Sequence, residues 1–338
     1  MENIIELKNL SKDFKILNKK SGKFSVVKDL FSTDYTVERA VNQINLNIGK
    51  GEIVGFIGPN GAGKSTTIKM LTGVLVPTEG TVLVNGFIPY KHRVKYVKEI
   101  GVVMGQRSQL WWDLSVEDSF KVMKEMYELS DAEYAENMRI FEEELCISEL
   151  FDKSVRHLSL GQKMLCEIVA VLLYNPKVIF LDEPTIGLDI SVKTKIRKII
   201  KRMNSQQGVT VILTTHDISD IEALCDRVVI IDHGTIIFDD SMNKMKQLVG
   251  SERKIIEITT KKVISDELTE KIKGMFTKEH LQINPASNKR MDIICDSGEV
   301  DINELLLQIM EYVGIEDINT VGVKIEDIVR QVYEGNLL

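Results

Sequence analysis

The chain has 338 residues, more than one hydrophobic core usually supports, so a large domain joined to a smaller one is expected. Hydrophobic residues make up 43% and charged residues 28%, which excludes disorder as the main state. The 43 basic and 50 acidic residues sum to −7, and an acidic chain argues against a nucleic-acid partner, since dedicated binders present basic faces.

Cys146, Cys166, Cys225 and Cys295 stand singly, with no CxxC pair and no histidines clustered beside them. Neither a disulfide framework nor a structural zinc site is expected, and a reducing compartment fits best. The opening residues MENIIELKNL carry acids and no apolar core, unlike a signal peptide. No apolar run approaches the ~20 residues that span a bilayer. The best candidate, 165–174, is short and carries Glu167. Any spanning part is therefore expected on another chain.

In chain order, residues 4–7 read as a strand. Residues 11–36 are lysine-rich without clear periodicity. Over residues 1–28, seven lysines face three acids, a local excess of four positive charges. The segment reads as a solvated insertion loop, with contact to anionic lipid headgroups as the alternative. Residues 41–48 alternate apolar and polar, as a half-buried strand does, and 52–57 form a buried strand. A helix is predicted over 64–72 and strands over 81–85 and 100–104. Residues 115–175 read as mostly helical, with Phe120, Met123 and Tyr127 at helical spacing and Ser115 as N-cap. Strands return at 178–181, 209–214 and 228–231. The last runs through the turn Asp232-His233-Gly234 into 235–238. Strands alternating with helices indicate an α/β domain with a largely parallel sheet. A boundary is placed near Gly250. Beyond it the pattern reads strand 254–259, helix 266–276, strands 281–284 and 291–295, helix 302–313, strand 318–323 and helix 325–333. The first six elements make βαββαβ, a ferredoxin-like plan.

Gly58, Pro59, Asn60, Gly61, Ala62, Gly63, Lys64, Ser65 and Thr66 match G-x-x-x-x-G-K-[ST] in full, between a predicted strand and a predicted helix. The glycines let consecutive backbone N–H groups turn inward around phosphate oxygens, and the helix N-terminus adds partial positive charge. Lys64 is positioned for the β- and γ-phosphates and Ser65 for Mg²⁺. Asp182 and Glu183 end a run of four apolar residues, at the strand end where α/β sheets place ligands. Asp182 is expected to hold Mg²⁺, and Glu183 to polarise an attacking water.

His157-Leu158-Ser159-Leu160-Gly161-Gln162 precedes that strand. Here the sequence resembles the ATP-binding cassette (ABC) family, whose signature is usually LSGGQ; the third position is Leu160 instead. Ser159 and Gln162 also fit a capping box opening a helix. The resemblance covers roughly residues 1–250. It implies that Ser159, Gly161 and Gln162 bind ATP held by an opposite subunit. It implies that Gln106, with Gln109 as rival, senses Mg²⁺ and the attacking water. It places Asp189 at the subunit interface and His216 on the γ-phosphate. Tyr35 is the preferred adenine-stacking aromatic, with Phe14 and Phe31 as rivals. Trp111 and Trp112 read as one core and one surface residue, or as an anchor against a membrane partner.

The resemblance thus implies a P-loop NTPase fold of the ABC nucleotide-binding type over 1–250. It would carry a helical subdomain at about 105–175 and a ferredoxin-like α+β regulatory or dimerisation domain at 251–338. It implies an ATPase that uses ATP and Mg²⁺, pairs with a second copy or a homologous subunit, and drives an integral-membrane permease of the ABC-2 exporter type. Its place would be peripheral, on the cytoplasmic face of the cell membrane. An importer ATPase, or an ABC ATPase acting on ribosomes or DNA, is the alternative.

Overall fold

The structure is a computed structural model that describes residues 2–17, 35–105, 108–215, 217–248, 253–264, 281–296 and 302–322. Its contacts divide the chain into two compact units, Met1–Met242 and Asn243–Leu338.

The first unit contains two sheets. Strands β1 (Asn3–Leu17), β2 (Tyr35–Gly49) and β4 (Glu79–Val84) form an antiparallel sheet in the order β2-β1-β4. A second sheet of six strands runs β5-β6-β7-β3-β8-β9. It comprises β3 (Ile53–Ile57), β5 (Ile100–Met104), β6 (Val178–Asp182), β7 (Thr210–Thr214), β8 (Arg227–Asp232) and β9 (Thr235–Ser241). Its pairs are parallel except β8 with β9, the predicted hairpin. His233 and Gly234 both take positive φ, 44° and 77°, as a tight two-residue turn with right-handed strand twist requires. The central strands are buried on both faces, which explains their unbroken apolar runs.

Helices pack on this frame: α1 (Lys64–Leu71), the single turn α2 (Arg93–Tyr96), α3 (Val116–Met126), α4 (Asp131–Leu145), α5 (Leu160–Leu172), α6 (Ile190–Gln207) and α7 (Ile218–Leu224). Ser115 caps α3, accepting from the Asp118 N–H at 3.0 Å. Ser130–Glu133 and Ser159–Gln162 form complete capping boxes on α4 and α5. Nine consecutive residues of α5, Met164 to Leu172, are buried, so this helix runs through the core.

One expectation is corrected here. The stretch 11–36 is not loop throughout. Residues 11–17 extend β1 and pair with β2, down to Leu17 opposite Tyr35. The exposure of this ribbon on both faces removed the apolar alternation that would have marked it: Phe14, Ile16, Leu17, Tyr35 and Val37 are all exposed. The largely parallel sheet expected from the sequence is the six-stranded one, and β1, β2 and β4 form a separate antiparallel layer beside it.

In the second unit, α8 (Met242–Leu248) precedes a four-stranded antiparallel sheet in the order β11-β12-β10-β13. Its strands are β10 (Arg253–Thr260), β11 (Leu281–Ser287), β12 (Arg290–Asp296) and β13 (Ile315–Gly322). Helix α9 (Ile302–Val313) lies between β12 and β13 in sequence. Numbering these strands one to four, the order is 2-3-1-4, all antiparallel, which is the ferredoxin-like arrangement. Ile256, Ile258, Met291 and Ile293 pack with Leu305, Ile309 and Val313 of α9 as its core. The predicted helices 266–276 and 325–333 lie outside the described residues.

Candidate functional site

The strand order β6-β7-β3 sets the C-terminal ends of three parallel strands side by side. The loop from β3 to α1 therefore faces the end of β6. Asn60 to Thr66 line one cleft together with Ala40, Asp182 and Glu183.

The phosphate loop holds its shape through close backbone approaches. A Cβ on Gly58 would lie 2.3 Å from the carbonyl oxygen of Ile231, and one on Gly63 (φ 106°) would lie 2.6 Å from that of Ala40. Only glycine fits at either position. The β8–β9 turn braces the loop from outside: the Gly234 N–H donates to the Ala62 carbonyl at 2.9 Å. The Asn42 N–H donates in turn to Gly234 at 2.8 Å, tying β2 to the same brace. His233 is thus a turn residue, as its sequence context indicates.

Lys64 is 8% exposed at the N-terminus of α1. Its ammonium donates to the carbonyls of Gly58 (2.5 Å) and Pro59 (2.9 Å), which leaves one N–H for a phosphate oxygen. Burial pushes its pKa below the usual ammonium range, and the negative charges of Glu183 and Asp182 oppose that shift. The cation is thus held in a partly dry site, where its attraction for phosphate is strengthened.

Asp182 ends β6. The Thr214 hydroxyl donates to its Oδ1 at 2.5 Å, which fixes the rotation of the carboxylate. Glu183 takes a left-handed backbone, φ 53°, rare for a residue with a side chain. Its N–H donates to the Thr214 carbonyl at 2.9 Å, and the Gly105 N–H donates to the Asp182 carbonyl at 3.0 Å. Strand ends on both sides therefore hold the strained turn. Behind it, Thr185 donates to the fully buried Asp220, which also receives Arg197 Nε at 2.7 Å. Thr214, Thr185 and Asp220 support the Asp182–Glu183 turn, and the sequence reading missed them. The available signal was a set of polar residues amid apolar runs.

Two expected site residues, Gln106 and His216, lie outside the described residues. The strands that lead to them are in place: Met104 of β5 and Thr214 of β7 both pair with Asp182.

Ser159 is exposed at the N-cap of α5, and its Oγ accepts from the Gln162 N–H at 3.2 Å. Leu160 is the first residue of the helix and is 54% exposed, so no special backbone conformation asks for glycine there. Gly161 packs tightly: a Cβ would come within 3.0 Å of Val192 on α6. Asp189 is exposed and caps α6, accepting from the Val192 N–H at 2.9 Å. The exposed Ile186 and Ile190 flank that loop, and Leu160 lies across it from Gly187.

Tyr35 is not brought to the cleft. It starts β2, five residues before Ala40, about 16 Å along an extended strand. The Lys15 ammonium lies over its ring at 4.6 Å. Phe14 instead pairs with Glu38, two residues from Ala40, and is 37% exposed. Phe31 lies outside the described residues; of the other two aromatics weighed from sequence, Phe14 is the one that the strand register carries toward the phosphate loop. Of the two tryptophan readings, one core and one surface residue is corrected. Trp111 and Trp112 are both exposed, at 39% and 63%, with Lys163 of α5 over the Trp112 ring at 5.7 Å.

The cleft's donors suit Mg²⁺. Ser65 and Asp182 offer hard oxygen ligands. Among the described residues no three His, Cys, Asp or Glu side chains surround one point, so phosphate and water would complete the ion's shell.

Fold and site together define a P-loop nucleoside triphosphatase. Residues 41–186 match the family model described as ABC transporter. The linearmycin resistance ATP-binding protein LnrL of Bacillus subtilis is 32% identical over 225 residues, covering 67% of this chain and 71% of LnrL. The ABC transporter ATP-binding protein NatA of the same organism is 29% identical over 222 residues, covering 66% of this chain and 90% of NatA. A solved ATP-binding cassette, dimeric and bound to ADP and Pi after hydrolysis, superposes with a TM-score of 0.56 at 26% identity, over 70% of this chain and 98% of that one. The chain belongs to the ATP-binding proteins of ABC transporters and is an ATPase subunit. No helix among the described residues is long and apolar enough to cross a membrane.

Proposed function

We propose that this chain energises an ABC-2-type exporter from the cytoplasmic face of the membrane. Two copies, or one copy and a homologous subunit, would close head to tail over two ATP–Mg²⁺. The observation that carries this reading is the convergence of Lys64, Asp182 and Glu183 on one cleft, with a capped and exposed Ser159 elsewhere on the same unit. Lys64 and the loop amides bind the β- and γ-phosphates. Ser65, Asp182 and Gln106 would hold Mg²⁺, which when bound would supply positive charge beside the transferred phosphoryl group. Glu183 accepts the proton of the attacking water, and His216 contacts the γ-phosphate. Ser159, Gly161, Gln162 and Asp189 belong to the surface that meets the partner's nucleotide. Binding then closes the pair and hydrolysis releases it, a switch between two arrangements.

The relative named for linearmycin resistance supports the export direction. Transported substrate is selected by the permease. The 251–338 unit serves as a regulatory or dimerisation module. The combined reading is tested by purifying tagged Glu183→Gln protein with ATP–Mg²⁺ from solubilised membranes. Co-purification of a polytopic protein without its own cassette is expected; ribosomal proteins or nucleic acid in its place would overturn the reading.

Phe14, rather than Tyr35, stacks on the adenine. Base stacking on an aromatic ring contributes about 1–3 kcal/mol. Phe14→Ala should weaken binding of a fluorescent ATP analogue by roughly tenfold or more, with Tyr35→Ala near wild type. The reverse order would restore Tyr35 to the role.

The exposed Trp111–Trp112 pair docks the membrane subunit, since exposed aromatics are the common anchors of interfaces. Trp112→Ala should abolish co-purification of the permease while basal ATPase of the isolated chain stays within about twofold. Undiminished recovery of the permease would remove this surface from the interface.

A further inference from the structure

Glu167 lies on α5, eight residues after the Ser159 cap, or about 12 Å along the helix axis. It is 4% exposed within the buried stretch Met164–Leu172 of α5, whose other side chains are apolar. A carboxylate is costly in such a place unless its lone pairs are used, and here one short loop uses them. The Ser108 hydroxyl donates to Oε1. The Gln109 N–H is shared between Oε1 at 3.1 Å and Oε2 at 3.0 Å. The same loop is tied to the sheet, because the Gln109 side-chain amide donates to the carbonyl of Val102 on β5. Val102 pairs with Phe180 on β6, two residues before Asp182. Immediately after the loop stand the exposed Trp111 and Trp112.

Three parts of the proposed cycle are therefore joined at or beside one buried carboxylate. They are the helix whose tip meets the partner's nucleotide, the loop that follows Gln106, and the aromatic pair that faces the membrane partner. We propose that Glu167 is a positioning residue that makes the 108–112 loop move with α5, so that closure over ATP at Ser159 is transmitted to the Gln106 loop and the tryptophans. This inference rests on the ATP-driven pairing proposed above. A rigid helix transmits displacement over 12 Å with little loss. At Ser108 and Gln109 the loop follows the helix through these donors, since the other buried side chains of α5, Met164 to Leu172, include no second carboxylate, while further along Lys163 lies over the Trp112 ring. Gln109 could therefore not act as a free sensor in place of Gln106: both its N–H and its side chain are committed to the anchor.

The test is amide hydrogen exchange on the full chain in the Glu183→Gln background, with and without ATP–Mg²⁺. In that background ATP should protect both 159–166, where the partner closes, and 108–113. Adding Glu167→Gln, which keeps the shape but replaces half of the acceptor with a donor, should leave ATP protection at 159–166. Protection at 108–113 should fall at least threefold. Ser108→Ala, which removes a donor to Glu167 without changing any residue of α5, should give the same pattern, and the two together should add little. In otherwise wild-type protein, Glu167→Gln should lower kcat for ATP several-fold while KM stays within twofold, and Glu167→Asp should recover part of the loss. Unchanged ATP protection at 108–113 in Glu167→Gln and Ser108→Ala would overturn the link. A variant that loses protection at both segments, with kcat and KM moving together, would assign Glu167 a merely structural role and overturn it equally. Absence of ATP protection at 159–166 in Glu183→Gln itself would instead remove the ATP-driven pairing on which the inference stands.

Discussion

Glu183→Gln should lower the ATP turnover rate by about 10²- to 10⁴-fold, the usual contribution of a general base, while nucleotide binding is retained. The amide has nearly the carboxylate's shape but cannot accept a proton from water. The strained turn should survive the change, because it is held by the Thr214 and Gly105 hydrogen bonds to the main chain and not by the side chain alone. The variant should also accumulate as an ATP-bound pair. Removing a negative charge beside the γ-phosphate favours the closed state, and the slowed chemistry no longer reopens it. Steady-state ATPase and light scattering with and without ATP–Mg²⁺ measure the two effects. Turnover within a few-fold of wild type would move the base elsewhere, and a slow but strictly monomeric variant would challenge the head-to-tail pairing.

Lys64→Ala should abolish measurable hydrolysis, with a loss of at least ~10²–10³-fold from removing one preorganised donor at the transferred phosphoryl group. ATP affinity should fall as well, because a charge-assisted hydrogen bond to phosphate contributes about 1.5–3 kcal/mol, or roughly tenfold to a hundredfold. Little global unfolding is expected. The Gly58 and Pro59 carbonyls lose a donor, but glycine packing and the Gly234 brace still define the loop. Thermal melting with titration of a fluorescent ATP analogue separates the effects. Wild-type hydrolysis in Lys64→Ala would refute the assignment of this loop as the phosphate site.

Much of the site was legible because its chemistry requires residues that are consecutive in sequence. A phosphate cradle needs glycines, lysine and a hydroxyl in one loop, and an acidic pair at a strand end marks itself. Capping is local as well, so Ser159 with Gln162 could be read directly. Long-range partners leave no such trace. Tyr35 was favoured over Phe14 by counting along the chain, yet the register of β1 on β2 decides which aromatic approaches Ala40. Helix α6 went unread, although Asp189 caps its start, Gly208 ends it in a left-handed conformation, and Ile196, Ile199, Ile200 and Met203 form its buried stripe. Its polar faces dilute the apolar signal.

By itself the sequence determined that this protein binds and hydrolyses nucleotide through a strand–loop–helix cradle, that strands and helices alternate around it, and that four further strands follow, with a helix before the last. These follow from patterns with a period of a few residues. Tertiary structure alone decided that β6, β7 and β3 are neighbours, which brings Asp182 and Glu183 to Lys64 across more than a hundred residues. It also decided that Thr214 and Asp220 support the Asp182–Glu183 turn, that Glu167 accepts from Ser108 and Gln109, and that both tryptophans are exposed. The reason is physical: backbone propensity and hydrophobic period act over one turn or one strand. Strand order, register and the partners of buried polar groups are settled only when the whole chain packs and each buried donor and acceptor must find its match.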